Sequence, residues 1–267
     1  MLKDITLGQY FPGDTAIHKL DPRTKLIMTT VYLVAVFTAN SLITLGLVAV
    51  FLTMMICVSR VKLRQLVRGL RPLLFILVLT SLINVFYTPG EPIFTIWRLT
   101  VTWEGIIQGG ILIARIGMMV MGTFILTYTT APMNLADGLE KLMGPLKRIR
   151  VPVHELSMIM NIALRFIPTL IEETDKIMSA QKARGADFDT GNIVKRAKAL
   201  LPLLVPLFIS AFRRADELAT AMESRCYHGG EGRTRMRQLQ FEGRDALTAV
   251  IGAVFLAAII SLVVMGI

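Results

Sequence analysis

The sequence predicts an all-α, polytopic membrane protein: about five transmembrane helices joined to a cytoplasmic module of long amphipathic helices. Three observations lead there. Hydrophobic residues make up 54% of the 267-residue chain, above the roughly 45–50% usual for soluble domains, and mean hydropathy is +0.60. The apolar residues gather into runs close to the roughly 20 residues that cross a bilayer. Charged residues are only 18% of the chain yet leave a net charge of +10, and the surplus Lys and Arg flank the apolar runs, the pattern of a membrane protein with a basic cytoplasmic side. They form no aromatic-interleaved patch, so nucleic acid is not an expected partner; the lipid bilayer is.

Asp21 followed by Pro22 reads as the N-cap and first residue of a helix. The apolar runs Leu26–Thr38 and Leu42–Val58, broken by Asn40 and Ser41, read as a tight hairpin of two spans. No small-residue cleavage site follows the first run promptly, so that run is expected to be an anchor. Arg60, Lys62, Arg64, Arg68 and Arg71 read as a basic loop, with Pro72 opening a third span over about Leu73–Tyr87. The connection 88–104 has Arg98 as its one basic residue and carries Trp97 and Trp103, residue types suited to a membrane interface. A fourth span is expected over about Gly105–Thr127 and a last one over Ala246–Ile267. The distribution of Lys and Arg puts the N-terminus and residues 129–245 inside. The chain therefore divides into 1–128, an N-terminal segment with four transmembrane helices; 129–245, cytoplasmic coupling helices; and 246–267, a C-terminal transmembrane helix. Cys57 and Cys226 make no disulfide framework and read as free thiols.

Within residues 129–245, Pro132 opens a helix with Leu135, Leu139, Leu142, Met143 and Leu146 on one face. Two longer helices are expected over about Val153–Arg184 and Asn192–Arg225, with Pro168 inside the first and Pro202 and Pro206 inside the second. Their polar ends resemble each other: Thr174–Gly185 aligns without gaps on Ala215–Cys226, sharing an Asp, an aliphatic residue two later, a small hydroxyl residue, an Ala, and a small residue before an Arg. Arg184 and Arg225 would each stand at a helix C-terminus, where the backbone dipole favours a cation. A duplicated tip of this kind suits docking to two equivalent partners, each Arg forming a forked pair with a partner carboxylate. Plain capping of two solvated helices is the alternative.

Enzymatic signatures are missing from the sequence. No G-x-x-x-x-G-K-[ST] occurs, so ATP hydrolysis is not expected of this chain. His154 and Glu155 lack a second His at zinc-protease spacing, and His18, His154 and His228 show no metal-ligand spacing. Arg115 falls inside the fourth span with Gln108. A mid-membrane Arg can mark a substrate path, but the nearby Gly109, Gly110, Gly117 and Gly122 favour tight helix packing, with Arg115 bonded to backbone or to a neighbouring helix.

Several stretches together carry a family resemblance: Tyr10–Asp14, His18–Lys25, Ala131-Pro132 with Leu135 and Gly138-Leu139-Glu140, Arg165–Pro168, and Ala183-Arg184-Gly185. Over nearly its whole length the chain resembles the transmembrane T component of energy-coupling factor (ECF) transporters, the shared vitamin-uptake type. The resemblance implies a membrane domain with a pair of long crossed helices, whose tips sit in grooves of two ATP-binding-cassette ATPase subunits. Carried onto this sequence, the tips are Ala183, Arg184 and Gly185, and Ser224, Arg225 and Cys226. The second departs from Ala-Arg-Gly at both flanks. Ser keeps the size small, whereas Cys in place of Gly is expected to end the helix differently. The resemblance further implies a separate membrane S component that binds the solute. It implies no cofactor in this chain, ATP and Mg being held by the partner ATPases. Met133, Met143, Met158, Met160 and Met178 would supply soft, re-packable surface for exchangeable partners. A dedicated cobalt or nickel permease of the same superfamily, or a membrane-embedded enzyme using Arg115 or His154, are the alternatives.

Overall fold

A computed structural model describes residues 10–89, 92–96, 99–186, 188, 192–229 and 238–266. In chain order the elements are α1 (Pro22–Thr38), α2 (Leu42–Ser59), α3 (Leu63–Tyr87), the strands β1 (Pro92–Ile96) and β2 (Leu99–Thr102), α4 (Trp103–Thr129), α5 (Pro132–Leu142), a 3-10 turn (Gly144–Ile149), α6 (Val153–Ala183), α7 (Ile193–Ser224) and α8 (Gly243–Val264). They fall into two compact units. One lies within Gly8–Lys141 and Leu239–Ile267, the other within Leu142–Gln238.

The first unit is a helical bundle. Among the described residues, α2, α3, α4 and α8 are long and apolar enough to cross a membrane. α1, the first of the expected spans, is shorter: 17 residues, or about 26 Å. Its far end is completed from outside the helix. Long side chains of a helix point toward its N-terminus, so Arg115 on α4 reaches the end of α1 and donates to the carbonyl of Ala39, the residue that caps α1. A cation there also answers the negative end of the α1 dipole. Arg115 is thus bonded to the backbone of a neighbouring helix. The turn into α2 is closed by a reciprocal cap: the Ile43 N–H donates to Ser41 Oγ at 3.3 Å, and the Ser41 N–H to Thr44 Oγ at 3.1 Å.

The core of this bundle runs through Tyr32, Val36, Val48, Leu52, Leu66, Met118, Ile125 and Ile259. Phe51 stacks on Phe255 with ring centroids 4.0 Å apart, and buried Tyr32 donates its hydroxyl to Met118 O at 3.0 Å. Small residues let the helices approach. A Cβ on Gly109 would lie 2.6 Å from Ser81 Oγ of α3, and one on Gly122 would collide with the Tyr32 ring. Gly110 has open space around it and Gly117 only an ordinary contact, so two of the four glycines expected to mark tight packing do so.

At the start of α1 a polar cluster joins distant parts of the chain. Asp21 Oδ1 accepts from the Arg23 N–H at 2.9 Å, while the Asp21 N–H donates to Asp245 Oδ1 at 2.9 Å. The other Asp245 oxygen accepts from the Glu242 N–H at the start of α8, also at 2.9 Å. Lys25, only 6% exposed, donates through Nζ to Thr129 O at 2.9 Å and to His18 O at 3.1 Å. The Phe11 N–H donates to Tyr128 O at 3.0 Å. A carbonyl can only accept, so His18 donates from Nε2 to Phe11 O at 3.1 Å and its Nδ1 receives the Thr15 hydroxyl at 2.6 Å. Burial, opposed in part by that bond to Phe11, lowers the His18 pKa and favours the neutral ring that this arrangement needs.

Several expectations are corrected. α3 begins at Leu63, not after Pro72, so Arg64, Arg68 and Arg71 sit on its first turns and Pro72 lies inside the helix. The proline removes one backbone donor, which the bonds on either side outweigh. The connection after α3 holds an antiparallel hairpin in which Ile96 pairs with Leu99 and Thr95 with Thr100. Its β-branched residues favour this form. Trp97 and Arg98 lie outside the described residues. On α5 the buried residues are Ala136, Gly138 and Glu140, whereas Leu139 is exposed. A Cβ on Gly138 would lie 2.9 Å from the Pro22 side chain, so the packed face of α5 is its small one. Leu146 falls in the 3-10 turn and not on α5.

Replacing Lys25 with Met should leave two buried carbonyls without their charged donor. The loss is about 2–3 kcal/mol, and it should appear as a lowered Tm of the purified chain in detergent.

Candidate functional site

The second unit is built on α6 and α7, of 31 and 32 residues. Pro168, Pro202 and Pro206 lie inside helices that continue through them. α7 shows exposed Leu204, Val205, Phe208, Ile209 and Phe212, and α6 exposed Leu156, Ile159 and Met160. Met133 on α5 is exposed too, while Met143, Met158 and Met178 are half-buried.

The six residues singled out in the sequence stand at the C-termini of these helices. Arg184 caps α6 with φ −86° and ψ 6°, and Arg225 caps α7 with φ −96° and ψ 17°. After each comes a left-handed residue, Gly185 at φ +88° and Cys226 at φ +56°. Both ends close by the same pair of bonds. The Ala186 N–H donates to Gln181 O at 3.0 Å and the Gly185 N–H to Lys182 O at 3.0 Å; the Tyr227 N–H donates to Met222 O at 3.0 Å and the Cys226 N–H to Glu223 O at 2.8 Å. This is the Schellman closure of a helix. The expectation that Cys226 would end its helix differently is therefore overturned. A non-glycine residue bears a left-handed backbone at a cost of about 1–2 kcal/mol, and here the two closing bonds hold it there.

Ala183, Arg184, Gly185, Ser224, Arg225 and Cys226 are all exposed. Ser224 turns its hydroxyl inward, donating to Thr220 O at 2.7 Å, and His228 Nδ1 lies 2.9 Å from Cys226 O. The two tips thus present the same shape: a small residue, an outward Arg and a tight left-handed turn.

Sequence reasoning missed a contact between the two helices. Arg214 Nη2 on α7 donates to Glu173 Oε2 on α6 at 2.6 Å, an ion pair with both side chains about one-third exposed. That bond holds the Glu173 carboxyl below the usual carboxylate range, aided by the Arg214 charge and by the Ser210 hydroxyl. The signal lay one residue beyond the segment compared. Continued backwards without a gap, the alignment of the two helix ends sets Glu172-Glu173 against Arg213-Arg214.

Among the described residues no group of three or more His, Cys, Asp and Glu is placed to hold a metal. In the bundle, an apolar cleft lined by Met28, Tyr32, Phe51, Met55, Ile125 and Ile251 also touches Lys25 and Arg244, but Lys25 is committed to carbonyl oxygens.

The bundle and the helical pair define a class: polytopic helical membrane proteins that carry an appended pair of long helices. The sequence matches the family described as Cobalt transport protein (CbiQ) over residues 13–236. It is 53% identical over 256 residues to the energy-coupling factor transporter transmembrane protein EcfT of Thermosediminibacter oceani, covering 96% of each chain. It is 45% identical over 261 residues to the protein of that name from Bacillus subtilis, covering 97% of this chain and 98% of the other. The chain belongs to this family of transporter transmembrane proteins. It is a multi-pass membrane protein and a non-catalytic subunit of an ECF transporter complex.

The matched closures give a paired expectation. Cys226→Gly should relieve left-handed strain and stabilise the end of α7 by about 1 kcal/mol, and Gly185→Ala should weaken the end of α6 by about as much. Slower and faster amide exchange at Tyr227 and Ala186, respectively, would report the two changes.

Proposed function

We propose that this chain couples two ATP-binding-cassette ATPase subunits to solute uptake through a separate membrane S component. The two tips, Ala183-Arg184-Gly185 and Ser224-Arg225-Cys226, dock one into each ATPase. ATP and Mg are bound by those partners, and this chain supplies neither nucleotide site nor cofactor. The observation that carries the reading is the matched geometry of the tips: two exposed arginines, each on a helix closed by the same two bonds. A rigid tip spends little conformational freedom on docking, and a guanidinium can form a forked, charge-assisted pair with a partner carboxylate. In this reading residues 1–128 and 246–267 form the membrane part and 129–245 the coupling part. The N-terminus and the coupling part face the cytoplasm, as the Lys and Arg of Arg60–Arg71 favour.

Movement of the ATPases on binding and hydrolysing ATP is passed through Arg184 and Arg225 to the helical pair, and from there to the S component. The exposed apolar residues of α6 and α7, Met160 among them, offer a surface that can re-pack against exchangeable partners, and Met133 on α5 is exposed as well. The solute is a vitamin or other micronutrient chosen by the S component. The family description, Cobalt transport protein, supports a second reading, in which the same coupling serves cobalt or nickel uptake.

Co-purification with the two ATPases and ATP-driven vitamin uptake in vesicles test the docking. Arg184→Glu/Arg225→Glu should weaken ATPase binding at least about thirtyfold, the equivalent of 2 kcal/mol or more for reversing a desolvated charge contact, and abolish uptake while the membrane fold stays intact. A double variant that assembles and transports like the wild type would reduce both arginines to helix caps.

A further inference from the structure

We propose that Glu173 and Arg214 are positioning residues that pin α6 to α7 at the centre of a local twofold, so that the two arginine tips stand as equal arms. The inference rests on the docking reading above and specifies what holds the arms in register. Four observations carry it.

The first is equivalence. Glu173 and Arg214 occupy the same place in the gapless alignment of the two helix ends, 41 residues apart like every other aligned pair. When two related helices pack about a twofold axis, the residue on the axis meets its own counterpart. Contact between aligned positions therefore locates that axis at this pair.

The second is arm length. Glu173 lies ten residues before Ala183, and Arg214 ten residues before Ser224. At 1.5 Å per helical residue, each tip stands about 15 Å from the pin. Equal arms are what two similar partners on either side of one pivot require.

The third is charge. A faithful duplication would bring like against like at the axis, and like charges repel. Here the copies share an Asp, a small hydroxyl residue and an Arg further along, yet carry opposite charge at the axis, Glu172-Glu173 facing Arg213-Arg214 in the alignment. Opposite charge recurs at Lys176 with Glu217 and at Lys182 with Glu223, and Glu173 with Arg214 is the aligned pair whose opposite charges meet in an ion pair.

The fourth is the approach of the two helices. Ser210 stands one turn before Arg214 on α7, and Thr169 occupies the equivalent place one turn before Glu173 on α6. Small residues on both sides of the pair let the two helices come close.

The test uses the assembled complex, this chain with both ATPases and an S component, and compares Glu173→Arg, Arg214→Glu, the double swap, and Glu173→Gln as a mild variant that keeps the shape. Two readouts are taken. One is the amount of a radiolabelled vitamin, recognised by the S component supplied, taken up per ATP hydrolysed. The other is the distance distribution between spin labels at the equivalent exposed positions Ser179 and Thr220, in a chain with Cys57→Ser and Cys226→Gly. Each charge reversal should lower uptake per ATP about tenfold and broaden the distribution. The double swap should return uptake to within about twofold of the wild type and restore a narrow distribution, and Glu173→Gln should fall between. A double swap no better than the worse single variant, or single reversals with a wild-type distribution, overturns the pin. Arg184→Glu/Arg225→Glu, run alongside, separates the two ideas. If it behaves as wild type the docking reading fails, and the label distances still decide the pin. If it loses the ATPases while the reversals keep a narrow distribution, the pin alone fails.

Discussion

The bundle depends on one buried ammonium. Lys25 sits at the start of α1, almost wholly covered, and its bonds run to the end of α4 at Thr129 and to the loop before α1 at His18. Around it, Asp21 and Asp245 tie the start of α1 to the start of α8. A buried cation is tolerable when it finds acceptors and counter-charges stand near. Here Nζ makes two bonds, Asp245 and Asp21 stand near, and the atoms come from three separated stretches of chain. None of those stretches can shift without stranding a polar group. The cluster therefore sets the register of α1 against α4 and α8, on which the apolar core of Tyr32, Val36, Ile125 and Ile259 then closes. It also gives physical content to the run His18–Lys25: His18 orders the loop, Asp21 caps, Pro22 starts the helix and Lys25 locks it.

The same logic recurs at the other end of α1. A 17-residue helix ends with carbonyls that need partners, and in an apolar surrounding an unsatisfied carbonyl is expensive. Arg115 supplies the donor from α4. A charged residue that looks anomalous in the middle of an apolar run is thus the complement of a neighbouring helix that stops early. α1 is pinned by a cation at each end, Lys25 within its own first turn and Arg115 reaching across, and Gly122 of α4 admits the close approach of Tyr32 on α1, while Gly109 does the same for Ser81 on α3.

Much of this was legible in the sequence because it was written in local terms. Asp21-Pro22 marks a helix start, Asn40-Ser41 marks a turn, and long apolar runs mark spans, each from the chemistry of a few adjacent residues. The failures share a different cause. Proline favours a helix start, so Pro72 points to one, yet the helix continues through it, since one missing donor is a small loss against a 25-residue ladder. The leucines of α5 point to one face, but what packs is Gly138 against Pro22, a constraint set by a distant residue. The hairpin Pro92–Thr102 carried a β-branched signal that the all-helical setting hid. The intrinsic preference of cysteine argues against a left-handed Cys226, whereas two backbone bonds decide its conformation. The Arg115 bond to the α1 end was anticipated in kind, but its acceptor, Ala39, could come only from three-dimensional contact.

The helical pair shows why the duplicated tips were readable and their pivot was not. Copies that meet similar partners keep what the partners touch, and here the small residue, the Arg and the left-handed turn persist in both. Copies that meet each other cannot remain identical where they touch, because a charge facing its own duplicate is repelled. Glu173 and Arg214 differ for that reason, and a comparison that looks only for sameness passes over them. Similarity along the alignment marks surface turned outward, and complementarity at the same alignment position marks the contact within. Applied to α6 and α7, the first criterion selects the tips at Arg184 and Arg225. The second marks several aligned pairs, Lys176 with Glu217 and Lys182 with Glu223 among them, and the bonded contact of Glu173 with Arg214 picks out the one where the two helices meet.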